Sequence, residues 1–132
     1  MTVHGEFGTV IDAVLENGGG TYYLSLQRGG RLILGDAEFK GGYYVALAGR
    51  ENVVPITGDV FAFDKLVVAE YIADNLNILR ESDVYLGFWV NNNRVFLDVV
   101  KHIRDKDEAI RIGRENRQIA IFDIAAGDEI LL

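Results

Sequence analysis

Two histidines, a scatter of carboxylates and a run of basic side chains are what this chain offers for chemistry. His102 follows Asp98 by four residues in a stretch of strand character, so the two share a face about 13 Å apart and cannot share a metal unaided. Asp105 and Asp107 lie nearer to His102, but their spacing to Glu108 is that of a helix cap. Asp105-x-Asp107 does not continue as a calcium loop, because Ala109 stands at the next ligand position and no turn glycine follows. His4 has neither a Glu-x-x-His nor a His-x-x-x-His context. A structural role is therefore expected for both histidines.

Nucleophiles are scarce. The serines are Ser25, in a strand, and Ser82, in a loop, and neither sits in a G-x-S-x-G elbow. Asp128 and Glu129 are adjacent in an extended stretch and point to opposite faces, which suits no acid–base pair. There is no cysteine, hence no thiolate, no disulfide and no cysteine-ligated metal. Gly18-Gly19-Gly20 follows a helix and precedes a strand, the reverse of a phosphate cradle, and neither GxxxxGK[ST] nor GxGxxG occurs. The expectation is a non-enzymatic protein without cofactor or metal.

Charge gives one positive lead. The net charge is −7 over 132 residues, which disfavours direct binding to nucleic acid phosphates. Residues 1–93 hold 6 basic and 12 acidic side chains, whereas residues 94–117 hold 7 basic against 5 acidic. That basic strip nominates Arg94, Lys101, Arg104, Arg111 and Arg114 as a binding surface for an anionic partner or ligand. The plainer reading is a solvated helix face with internal ion pairs, Asp107–Arg111 and Arg111–Glu115 among them.

The elements that must position these residues are legible in outline. Thr9–Asn17 reads as a short helix stopped by the glycines. Strands follow at 22–26, 31–34, 43–47 and 52–56, the last limited to an edge by Pro55. Asp64–Ile78 reads as one helix whose apolar residues occupy more than half its circumference. It should be almost fully covered, either inside the fold or by self-association. Residues 83–132 read as one compact unit: a hairpin turning at Asn91-Asn92-Asn93, a capped helix over 105–117 with Gly113 against the sheet, and a second hairpin with Gly127 in its turn. Aromatic residues cluster in the strands, and any left exposed would be natural binding positions.

The fold class is α+β, one domain, with a largely antiparallel sheet and about three helices. The helix between the 95–103 and 118–124 strands makes a β-α-β step. No secretory signal or membrane span is visible, so a cytoplasmic location is expected.

Part of the C-terminal half is similar to known sequences. Tyr85-Leu86-Gly87-Phe88-Trp89, Leu97-Asp98-Val99, Glu108-Ala109 with Ile112-Gly113-Arg114, and Ala120-Ile121-Phe122-Asp123 with Gly127-Asp128-Glu129-Ile130 resemble a C-terminal segment of small proteins from actinobacterial phages and mobile elements. Ile112 stands where those proteins have leucine. The resemblance covers about a third of the chain; it implies an origin and no catalytic residue. Together these features lead to a small phage-type accessory protein, homo-oligomeric, that binds a host or phage protein. The rival expectation is a binder that sequesters an anionic, nucleotide-like small molecule; acidic DNA mimicry is weaker, because the carboxylates are scattered.

Overall fold

The computed structural model describes residues 4–5, 7–56 and 63–132. In chain order the elements are β1 (His4–Gly5), α1 (Phe7–Asn17), β2 (Gly19–Leu26), a 3-10 turn at Arg28–Gly30, β3 (Leu32–Asp36), β4 (Tyr43–Ala46) and β5 (Asn52–Pro55). Then come α2 (Lys65–Asp74), α3 (Leu76–Leu79), β6 (Val84–Asn91), β7 (Arg94–Ile103), α4 (Lys106–Glu115), β8 (Ala120–Asp123) and β9 (Asp128–Leu131). The strands form one antiparallel sheet in the order β1-β3-β2-β6-β7-β4-β8-β9, with β5 also paired to β7. The fold is α+β.

The central hairpin β6–β7 is built as its sequence dictates. Asn92 and Asn93 both take positive φ, 50° and 59°, which is the backbone of a two-residue type I′ turn and a conformation asparagine tolerates. Along β7, Val95, Leu97, Val99 and Ile103 point to one face. The first three enter a core with α1, α2 and α3, through Val10, Val14, Val68 and Ile72 among others. Ile103 joins a smaller core with Val45, Ala109 of α4 and Ile121. Side chains alternate along a strand, so all four helices pack on the same face of the sheet.

Gly113 lets α4 approach closely: a Cβ there would lie 2.7 Å from Leu132 Cδ1 and 2.9 Å from Ile121 Cγ2. Asp105 caps this helix, accepting from the Glu108 amide at 2.9 Å.

Two expectations need correction. The 83–132 segment is not self-contained, because β4 lies between β7 and β8 and pairs with both. The β-α-β step therefore spans a strand from the N-terminal half. The helix expected over 64–78 breaks at Asn75 into α2 and α3, which gives four α-helices among the described residues. Asn75 is buried and uses its side-chain amide twice: it donates to the Tyr71 carbonyl at 2.8 Å and accepts from Arg50 Nη1 at 3.1 Å. A side chain that competes for backbone groups in this way interrupts a helix. On α2, Leu66 is 64% exposed, so burial inside the fold, one of the two expected ways of covering this helix, is incomplete.

β4 and β5 are nearly one strand. Both pair with the same edge of β7, β4 opposite residues 100–103 and β5 opposite 94–97. Leu47 still donates its amide to the Val99 carbonyl at 2.9 Å; residues 48–51 then leave the ladder, pinned where Tyr71 donates its hydroxyl to the Arg50 carbonyl at 2.6 Å. Pro55 ends β5, which has β7 as its one partner among the described residues.

Candidate functional site

The face without helices carries the candidate site. On β7 this face holds Phe96, Asp98, Val100 and His102; on β6 it holds Tyr85, Gly87 and Trp89. β2 adds Gly19 and Thr21, β4 adds Tyr44 and Ala46, and β8 adds Phe122. Tyr44 and Thr21 share a side-chain hydrogen bond although β6 and β7 separate their strands. Such a contact is possible only if the sheet curls, so this face is concave.

One end of the hollow is filled by the chain itself. The link from β3 to β4 must pass β2, β6 and β7, and Phe39 marks its route. Its ring lies 5.4 Å from that of Tyr85, stacks on His102 at 3.7 Å and meets Tyr44 at 6.3 Å. His102 is buried, and its Nε2 lies 2.9 Å from the Gly41 carbonyl. A carbonyl can only accept, so Nε2 carries a proton there. Gly42 is required at φ +86°, since a Cβ would sit 2.5 Å from His102 Nε2. His102 thus fastens the crossing link, a structural role. The side chain of His4, and Phe61 with its neighbours, lie outside the described residues.

Beyond Phe39 a groove of about 700 Å³ remains open, within the range of ligand sites. Trp89 and Phe96 stand opposite each other across β6 and β7, and Gly87 stands opposite Asp98 one step along. On one flank of Asp98, Gly87 contributes no side chain, although Val100 Cγ1 would lie 3.3 Å from a Cβ there; on the other, residues 48–51 have left the ladder. Burial, and then the charge of Glu51, push the Asp98 carboxyl from 3.8 up to about 6. Burial is also the main reason that the Tyr44 hydroxyl rises to about 12; the bond to Thr21 works against that rise and Tyr85 adds to it. The charged side chains lining the groove are Glu51, Asp98 and Glu129, and Asn17, Asn91 and Gln118 add neutral polar groups.

The basic residues nominated from sequence are dispersed. Arg94 and Arg104 sit at opposite ends of the ten-residue β7, about 30 Å apart. Lys101 is half-buried on the helix side, beside Val45 and Val84 in the register. Arg111 and Arg114 are on the exposed side of α4, and Arg111 is engaged by Glu115 at 2.8 Å and Glu108 at 3.9 Å. None of the five lines the groove. Asp98 was visible in the sequence only as a distant neighbour of His102. Its real setting depends on Gly87 and Thr21, brought beside it by strand register, and on Glu51, from the segment that leaves the ladder ahead of β5.

No family model matches the chain, and no curated protein and no solved structure matches it. Among the described residues no group of three or more histidine, aspartate or glutamate side chains could hold a metal ion, and no helix is long and apolar enough to cross a membrane.

Proposed function

We propose that this chain is a non-enzymatic accessory protein that works by holding a segment of a partner protein in the groove on its concave sheet face. The observation that carries the reading is the pairing of an uncovered aromatic floor with cleared space. Trp89 remains 53% exposed beside Phe96, whereas a tryptophan serving only the fold would be mostly covered. Exposed aromatic residues in a concave site are the positions where binding energy concentrates. The phage or mobile-element origin implied by the C-terminal resemblance, and a cytoplasmic setting, belong to the same proposal. So does self-association, for which exposed Leu66 on α2 is the natural contact; light scattering at micromolar concentration tests it, and a mass of 14.7 kDa would remove it.

An anionic, nucleotide-like ligand suits this groove poorly. Among the described residues its charged lining is entirely acidic, and a phosphate there would meet repulsion with no guanidinium or ammonium of that lining to offset it.

Selection from a displayed random-peptide library tests the surface directly. Binders are expected to shift the emission of Trp89, the one tryptophan of the chain, and to lose affinity on Trp89→Ala and Phe96→Ala. A set of binders indifferent to both substitutions would move the function to another surface.

A further inference from the structure

Resting on the groove reading above, we propose that the groove selects a basic segment, seating a lysine or arginine side chain of the partner at Asp98 and Glu51 with its aliphatic stem over Trp89 and Phe96. Charge complementarity is the first argument. Among the described residues the lining contains three carboxylates and no lysine, arginine or histidine. None of the three is engaged in an ion pair among the described residues. Arg50, next in sequence to Glu51, is turned away, with its guanidinium on Asn75.

Register supplies the second argument. Phe96 and Asp98 are two residues apart on β7, and Trp89 and Gly87 are two apart on β6. The aromatic pair is therefore about 7 Å from the carboxylate position along the strands, close to the reach of a lysine stem and ammonium. Gly87 places no side chain of its own between them, and only the Val100 methyls approach its position, at 3.3 and 3.8 Å from where a Cβ would lie. A long basic side chain can lay its methylenes on the rings and place its charge at the carboxylates, gaining cation–π attraction on the way.

The third argument separates a polypeptide from a small amine. Glu129 is on β9, three strands from β7, and through Phe122 and Tyr44 its register matches His102 rather than Asp98, an offset of about 13 Å along the strands. Curling of the sheet brings strands together laterally but does not remove that offset, so one small cation cannot serve both positions. An extended segment with basic residues four apart spans it, and the net charge of −7 steers such a segment towards the chain.

Titration followed by Trp89 fluorescence decides the matter. The probe is a blocked seven-residue peptide alternating lysine with leucine, compared with the same peptide carrying glutamine for lysine. At pH 7.5 and low salt the lysine peptide should bind at least tenfold more tightly. Asp98→Asn should remove most of that advantage and Glu51→Gln part of it, with the circular dichroism of both variants unchanged. Equal binding of the two peptides, both lost on Trp89→Ala, would overturn the basic selectivity while leaving the groove as the binding surface. A lysine preference that survives Asp98→Asn and Glu51→Gln together would also overturn it, as would the failure of either peptide to perturb Trp89. The library selection tests the groove itself independently of these outcomes.

Discussion

Asp98 faces Gly87 across the central hairpin, on the side of the sheet that carries no helix. The carboxyl is half-buried where its strand neighbour offers no side chain and where the charge of Glu51 acts on it. The same surroundings include Thr21 from β2, Trp89 from β6 and, from α2, the Tyr71 hydroxyl, itself held protonated by burial and then by the Asp98 charge, with Arg50 acting in the opposite sense.

A pH-dependent stability follows from this setting. The Asp98 carboxyl titrates at about 6 in the folded chain against an ordinary 3.8. Its contribution is therefore fully present below the unfolded value and is lost as pH rises through about 6. Asp98→Asn, neutral throughout, should be more stable than the parent by about 2 kcal/mol at pH 7.5, and the difference should fade by pH 4. Urea denaturation at both pH values measures it. A gain that persisted unchanged at pH 4 would assign the effect to packing rather than to charge.

The C-terminus of α4 stores a removable cost. Arg117 has φ 57°, and the bonds Gln118 N–H to Gly113 O and Arg117 N–H to Arg114 O make the reverse turn that normally places glycine there. Arg117→Gly should stabilise the chain by about 1 kcal/mol through relief of the left-handed backbone. Thermal melting reads the change, and an unchanged or lower midpoint would mean that the arginine side chain contributes more than its backbone costs.

At the other end of the same helix, Asp105→Ala removes the acceptor for the Glu108 amide and should cost about 1 kcal/mol. Peptide binding in the groove should be untouched, because Asp105 is absent from its lining. Loss of binding at unchanged stability would contradict a purely structural role for this acidic cluster.

Local signals were legible where they were self-sufficient. The paired asparagines set the β6–β7 turn, the Asp105 cap set the start of α4, and Gly113 announced a close approach. What the sequence hid was long-range. Nothing local in Tyr43–Ala46 says that it will separate β7 from β8, and nothing in 37–42 says that Phe39 will cross three strands to stack on His102. The helix over 64–78 looked continuous because Asn75 is tolerable in a helix; its break depends on Arg50, 25 residues away. The groove was illegible for the same reason. Its elements are single residues at matching register positions on different strands, and a missing side chain at Gly87 matters only once Asp98 stands opposite.

The basic strip and the groove make opposite forecasts for one pair of substitutions. Arg111 and Arg114 lie on exposed α4, on the helix side of the sheet. If that helix is the binding surface for an anionic partner, Arg111→Glu with Arg114→Glu should slow association sharply and flatten its salt dependence. If the groove is the surface, the same double variant should bind a basic peptide as well as the parent or slightly faster, because the chain becomes more acidic. Stability should fall by only a few tenths of a kcal/mol, since the pairs lost with Glu108 and Glu115 are exposed and contribute little. Stopped-flow Trp89 fluorescence at two salt concentrations measures both quantities. A large loss of rate for the basic peptide in the double variant would move the binding surface from the concave face to α4.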